Sequence, residues 1–375
     1  MQRPIENSIE QLEEILIECR SKRILLITGR DSYDNSVKRS KIEVILSDYS
    51  VLRHCDFSVN PNIIDIVKGV KIAKGFAPDT IIGIGGGSVM DTAKIIATFF
   101  SSENDIYSTI TQNRDIPMRH NKLILVPTTA GSGSEATHFA VIYDGNDKFS
   151  VASENILPEY VILDPELTHT VPEKLTAITA FDAFCQSIES YWSVGATNES
   201  IDYATESIMI IKKIFSKLFD NPPYVIREKM MKASFLSGKA INITKTTGPH
   251  AISYALTKSF NIPHGLAVML TMPSFFRFNT DTKDKELHAK VSIEEYSMRV
   301  SKLFDLLNVN DSDQAVDSIL EMISYVGFKN KLRYYGINDN EDLISLSKSV
   351  NMERLGNNPL LLTPKNILSI LKESY

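Results

Sequence analysis

Cysteine is scarce in this chain: Cys19, Cys55 and Cys185 are the only three in 375 residues. Widely spaced and odd in number, they make no disulfide framework, and a reduced setting is expected. Long apolar runs are missing too. None approaches the ~18 residues needed to cross a bilayer, so no membrane association is expected. The segment Met1-Gln2-Arg3-Pro4-Ile5-Glu6-Asn7 lacks the apolar core of a secretory signal, and a cytoplasmic location is expected. Positive charge is not in excess. The net charge of −6 argues against nucleic acid as a partner, because such surfaces concentrate basic residues. Internal repeats and low-complexity segments are likewise not evident. What is present is ordinary for a soluble globular protein, with 43% apolar and 23% charged residues. The chain is long enough for two domains, since single cores rarely grow beyond roughly 250–300 residues.

Residues 8–19 read as an amphipathic helix with Ile9, Leu12, Ile15 and Leu16 on one face. Arg23 through Gly29 reads as a buried strand, a short apolar run ending in glycine. Similar runs follow at Thr80–Ile84 and Lys122–Val126, with helical patterns at Ile63–Lys74 and Met90–Phe99. This alternation predicts a Rossmann-like α/β domain, a parallel sheet covered on both faces. After Leu163-Asp164-Pro165 the pattern turns helical almost throughout, broken at Asn221-Pro222-Pro223 and Asn261-Ile262-Pro263. The expected division is residues 1–165 as the α/β domain and 166–375 as an all-helical domain.

Two glycine-rich turns follow strands of the first domain. Gly85-Gly86-Gly87-Ser88 opens a helix, where glycine lets the backbone approach a phosphate and free N–H groups attract negative charge. Ser88 adds a hydroxyl donor. The spacing does not match G-x-G-x-x-G, so the dinucleotide fingerprint is not claimed; a plain tight turn is the alternative. Pro127 through Glu135 crowds small and hydroxyl residues at a second strand end, as expected where a ligand crosses the carboxyl edge of a parallel sheet. Asn60 and Lys148 are further cofactor candidates, with a turn residue and a solvated charge as the alternatives. His138, just past the second turn, is a candidate for lining the catalytic site, with a structural role as its alternative.

In the second domain, Asp182 through Glu189 sits in a helical stretch. Asp182 and Gln186, four apart, project from one face, and Cys185 lies nearly on it. His250 and His264 follow, fourteen positions apart. One carboxylate, two imidazoles, and either an amide oxygen or a thiolate make a plausible catalytic divalent-metal set.

Taken together, the motifs from Gly85 to Asp91, Pro127 to Glu135, Leu163 to Leu167, Asp182 to Glu189 and His250 to Gly265 resemble the iron-containing (group III) alcohol dehydrogenase family. The resemblance covers most of the chain. It implies the dehydroquinate synthase-like fold of that family, with a nucleotide-binding α/β domain and a helical metal domain. It implies that Gly86, Gly87, Ser88 and Asp91 lie near the cofactor diphosphate, and Thr128, Thr129 and Ser132 near its other half. Asp182, His250 and His264 would ligate a divalent metal, iron or zinc. Two departures stand out. Where the family normally has histidine four residues after the aspartate, this chain has Gln186, a neutral and weaker ligand. Where the family often has histidine four residues after its first liganding histidine, this chain has Tyr254. A proton relay there uses a phenol or is absent, with solvent as the other proton source.

The wording around Phe181–Ser193 and Ala240–Tyr254 looks like the phosphonoacetaldehyde reductase branch of the family, which makes 2-hydroxyethylphosphonate. Lys245 and Thr246, with Thr247, precede the first histidine and offer a cation and hydroxyls to a phosphonate; a solvated helix-end lysine is the alternative. After the first strand the chain has Gly29 and Arg30, where family members preferring NAD commonly place an acid, so NADPH, with or without NADH, is expected to be accepted. The implied activity is carbonyl reduction, with metal as Lewis acid and nicotinamide as hydride donor. Its alternatives are oxidation or reduction of another small alcohol, polyol or sugar aldehyde, and a nucleotide-binding protein that has lost catalysis. A homodimer or larger homo-oligomer is expected from the resemblance.

Overall fold

The structure is a computed structural model that describes residues 8–145, 147–283, 285–350 and 352–375. The segment read for a targeting signal, residues 1–7, lies outside them. The chain divides into two compact units. One is Met1–Pro172 with Pro223–Phe235, and the other is Glu173–Pro222 with Leu236–Tyr375. The division falls inside the helix Tyr224–Thr244, a return of the chain to the first unit that a single boundary near residue 165 does not contain.

The first unit is built on a parallel sheet of five strands: β1 (Arg23–Thr28), β2 (Ser50–His54), β3 (Thr80–Gly85), β4 (Lys122–Pro127) and β7 (Tyr160–Val161). Their order is β2-β1-β3-β4-β7, with Ile24 opposite Thr80 and Thr80 opposite Lys122. Successive side chains point to opposite faces. Leu25, Ile27, Ile81, Leu123 and Leu125 therefore enter one buried cluster with the helices Ile63–Phe76 and Gly87–Phe99. Ile24, Leu26, Ile82, Ile84, Ile124 and Val126 enter another with the helices Leu12–Glu18 and Arg39–Leu46. Burial on both faces is why these strands read as unbroken apolar runs. Not anticipated is an antiparallel hairpin, β5 (Phe139–Asp144) with β6 (Asp147–Ala152). Its turn contains Gly145 at φ +53, a left-handed conformation that glycine adopts without a Cβ penalty.

The second unit is helical. Its central helix, Glu173–Trp192, is buried along almost its whole length from Ala177 onward, as expected for a helix surrounded by others. Helices Gly248–Phe260 and His264–Thr280 follow one another closely. Asn261, left-handed at φ 53, ends the first, and Pro263 caps the second.

Candidate metal centre and nucleotide turns

Asp182 lies in the middle of the central helix, His250 in the first turn of Gly248–Phe260, and His264 at the first position of His264–Thr280. Two close approaches bring these three helices together. A Cβ on Gly265 would stand 2.1 Å from the Ile178 carbonyl oxygen and 3.1 Å from Asp182 Cβ. One on Gly248 would meet the Phe275 ring at 2.2 Å. Glycine lets the helix backbones approach at Gly265 and makes room for the Phe275 ring at Gly248, and the ligand candidates converge there.

One ligand atom from each of Asp182, His250 and His264 lies within 4.8 Å of the others. Asp182 Oδ1 is 3.2 Å from His250 Nε2 and 3.9 Å from His264 Nε2. Behind them Glu189, fully buried, takes a very short bond from His250 Nδ1. Its other oxygen accepts from the Thr247 backbone N–H at 2.6 Å and the Thr247 hydroxyl at 2.9 Å. That hydroxyl in turn accepts from the Trp192 indole at 3.1 Å. Burial opposes a charge on His250, but Glu189, with Asp182 beside it, outweighs burial and raises the imidazole to about 9. A buried carboxylate oxygen and two imidazole nitrogens are donors that a divalent iron or zinc ion takes, and the buried charge of Glu189 stands behind them, so the residues present fit the expected metal.

Gln186 is buried beside them. Its Nε2 donates to Asp182 Oδ1 at 3.2 Å and its Oε1 accepts from Ser237 Oγ at 3.0 Å. The nitrogen rather than the oxygen thus faces Asp182. A half-turn of the amide exchanges the two, because the Ser237 hydroxyl can accept as well as donate. The thiol alternative is less favoured. Cys185 Sγ lies 3.6 Å from Met269 Sδ, and burial, with Glu189 and Asp182 nearby, pushes its pKa well above the ordinary thiol value.

Glu189 is the residue that sequence reasoning missed. The signal was there: it lies seven positions after Asp182 and three after Gln186, on the same helix face.

Tyr254 stacks on His264, with ring centroids 5.5 Å apart and planes 3° from parallel. Lys245 is the first residue past the helix Tyr224–Thr244, exposed and left-handed at φ 60, and its N–H caps the Ile241 carbonyl. The carbonyls of Thr244 and Thr246 both accept from Asn357 Nδ2, so the turn carrying Lys245 is pinned on both sides.

In the first unit the two glycine turns abut at the carboxyl ends of β3 and β4. A Cβ on Gly86 would lie 3.4 Å from Thr129 Oγ1, and one on Gly87 3.0 Å from Ser132 Oγ. Thr128 N–H donates to the Gly85 carbonyl, and Asn60 N–H donates to Ser88 Oγ at 3.1 Å. Gly86 caps the helix Gly87–Phe99 without any side-chain bond, leaving helix-start N–H groups for an anion. Gly29, at the end of β1, is separated from this turn by Val89. The carboxyl ends of β1 and β3 flank the point where the strand order reverses, the usual ligand crevice of such sheets. A cradle that any Cβ would narrow, beside an open helix start, fits a dinucleotide diphosphate.

Three candidates have other attachments. Asp91 accepts from Ser134 Oγ at 2.6 Å and from Val141 N–H at 2.9 Å, tying the second turn to β5. Lys148, on β6, acts on Asp91 through its charge. His138 Nδ1 lies 3.8 Å from Glu154, and its ring meets Phe139 edge-on.

Comparison with known proteins agrees with this geometry. Residues 5–165 match the family described as iron-containing alcohol dehydrogenase, and residues 176–375 match the C-terminal part of the Fe-containing alcohol dehydrogenase family. The NADPH-dependent butanol dehydrogenase of Clostridium saccharobutylicum is 28% identical, over 99% of this chain and 95% of its own. The sulfoacetaldehyde reductase of Bilophila wadsworthia is 29% identical, over 86% of this chain and 83% of its own. The crystal structure of sulfoacetaldehyde reductase from Bifidobacterium kashiwanohense in complex with NAD+ superposes with a TM-score of 0.85 at 27% identity, covering 97% of this chain and 93% of that one. With both its parts matched, this chain belongs to the iron-containing alcohol dehydrogenase family and is an NAD(P)-dependent, metal-assisted oxidoreductase acting on CH–OH groups.

Proposed function

We propose that the protein reduces a two-carbon aldehyde bearing a tetrahedral anion, with phosphonoacetaldehyde, giving 2-hydroxyethylphosphonate, as the leading substrate. The observation that carries this reading is the pinned Lys245–Thr246 turn, which leads within five residues into His250 and offers an exposed cation and a hydroxyl. An ammonium and a hydroxyl suit phosphonate oxygens. Sulfoacetaldehyde is the second reading, favoured by the two sulfoacetaldehyde reductases to which the chain is similar.

In this reading Asp182, His250 and His264 hold the divalent ion, iron or zinc, with Gln186 as fourth ligand after its amide turns. Gly29, Asn60, Gly86, Gly87, Ser88, Asp91, Thr128, Thr129, Ser132 and Lys148 form the nucleotide site within residues 1–165, and the metal and substrate groups lie within 166–375. When bound, the ion supplies Lewis acidity to the carbonyl oxygen and the nicotinamide supplies hydride. Glu189 keeps His250 Nε2 toward Asp182 by engaging Nδ1. Tyr254 donates the proton to the product oxygen, and His138 is the second catalytic candidate. NADPH and NADH are both accepted, since no carboxylate follows Gly29 directly and the similar proteins include both an NADPH-dependent enzyme and an NAD+ complex. Arg30 meets Asp56 at 3.6 Å, both exposed, and a 2′-phosphate would compete for that guanidinium. A cytoplasmic homodimer or larger homo-oligomer completes the reading, on the family resemblance.

The test is turnover of the purified, metal-loaded protein with phosphonoacetaldehyde, sulfoacetaldehyde and butanal, using each cofactor. A kcat/KM for phosphonoacetaldehyde at least tenfold above the others supports the assignment. Preference for sulfoacetaldehyde moves it to the second reading, and preference for butanal removes the anion requirement.

A further inference from the structure

Ser253 is completely buried and sits between the two histidines of the metal cluster. Its hydroxyl donates to the His250 carbonyl at 2.7 Å and lies 3.2 Å from His264 Nδ1. A serine hydroxyl has a single proton. With that proton assigned to the His250 carbonyl, the shorter of the two contacts, Ser253 Oγ meets His264 as an acceptor and Nδ1 carries the hydrogen. The lone pair of the neutral His264 ring is then on Nε2, the atom 3.9 Å from Asp182 Oδ1. Which ring nitrogen of a histidine binds metal is set by the bond the other one makes.

We propose that Ser253 is a positioning residue that selects the Nδ1–H form of His264 and so aims Nε2 at the metal; this rests on the reading of Asp182, His250 and His264 as ligands. The two imidazoles are prepared by unequal means. His250 is buried and held by the Glu189 carboxylate. His264 is 38% exposed and begins its helix, and its ring is held by a neutral hydroxyl on one edge and the Tyr254 ring on one face. Ser253 also joins the two ligands, accepting from the ring of one while donating to the backbone of the other.

The experiment compares wild type, Ser253→Ala and Ser253→Thr for zinc affinity by chelator competition. Partners of liganding histidines are typically worth 10- to 100-fold in metal affinity. For a neutral partner the lower end applies, and Ser253→Ala is expected to lose about tenfold while Ser253→Thr, which keeps the hydroxyl, stays near wild type. NADPH affinity and circular dichroism report whether each variant is folded. Imidazole 15N NMR of the zinc-loaded protein should show a protected His264 Nδ1–H in wild type and Ser253→Thr, but fast exchange in Ser253→Ala. Zinc affinity within twofold of wild type for folded Ser253→Ala, or an equal loss in Ser253→Thr, would overturn the proposal while leaving the metal reading intact. Failure of wild type to bind zinc, iron or cobalt would overturn both.

Discussion

Tyr254 and His264 lie ring on ring, their planes 3° apart. The phenol ring is therefore held parallel to the imidazole of His264, one of the three clustered ligand candidates. Tyr254→Phe retains the stack and removes only the hydroxyl. General acid catalysis contributes typically 10²–10⁴-fold, and kcat is expected to fall about 10²-fold with metal content unchanged. Steady-state kinetics beside metal analysis checks this; an unchanged kcat would assign the proton to solvent.

Gly265→Ala would drive a methyl group into the Ile178 carbonyl at 2.1 Å. Overpacking of this kind costs about 1–3 kcal/mol. Here the strain falls between the helix carrying Asp182 and the helix begun by His264, so zinc affinity should fall more than tenfold as the melting temperature drops. Chelator competition and calorimetry on the same preparation measure the two losses.

Lys245 occupies a left-handed helix terminus, where glycine is the usual choice and another residue costs about 1–2 kcal/mol. Lys245→Gly should leave the melting temperature equal or higher. In the same variant KM for phosphonoacetaldehyde should rise at least tenfold, while that for butanal stays within twofold. A thermal scan and two substrate titrations decide it, and equal effects on both substrates would sink the anion-binding role.

Under the second glycine turn Lys94 is fully buried, its Nζ donating to Ser134 Oγ, Thr137 Oγ1 and the Phe139 carbonyl. Burial pushes Lys94 down to about 8, against the pull of Asp91 and Glu135. Burial likewise pushes Glu135 up to about 7. For Glu135 the folded state holds a proton that the unfolded state has released, so stability is lost as pH rises from about 4.5 to about 7. For Lys94 the folded state releases its proton first, so stability returns as pH rises from about 8 toward 10.5. Glu135→Gln should therefore gain on wild type across the acid window, by a few kcal/mol in order of magnitude. Denaturant midpoints at pH 5, 7 and 9 provide the comparison; parallel curves for the two proteins would refute it.

Much of the fold, and of the candidate site, was legible because the elements repeat local rules. The strands β1, β3 and β4 are buried on both faces and announce themselves as apolar runs. Gly86 and Gly87 needed only the knowledge that a strand precedes them and a helix follows. His250 and His264 stood out by residue type. The hairpin β5–β6 was obscured because Phe139, Val141 and Tyr143 on its outer side are apolar but only half-buried, which blurs the alternation. Glu189 shares the helix face of Asp182 and Gln186, but that spacing alone does not name its partner, an imidazole 61 positions later. The role of Ser253 was still harder to see. It depends on how one proton is divided between a carbonyl and a ring, a matter of ångströms rather than spacing. Asp91 adds a second kind of bond that spacing does not show, accepting from Ser134 and Val141 and so tying the second glycine turn to β5.

Cys185 turns its sulfur to Met269 and keeps its proton. The candidate ligands beside it, Asp182, His250 and His264, then offer oxygen and nitrogen alone. Soft ions such as cadmium and mercury gain most from thiolate, and without one they lose their advantage over borderline ions. The centre should resist poisoning by such metals, and reagents that alkylate accessible thiols should pass it by.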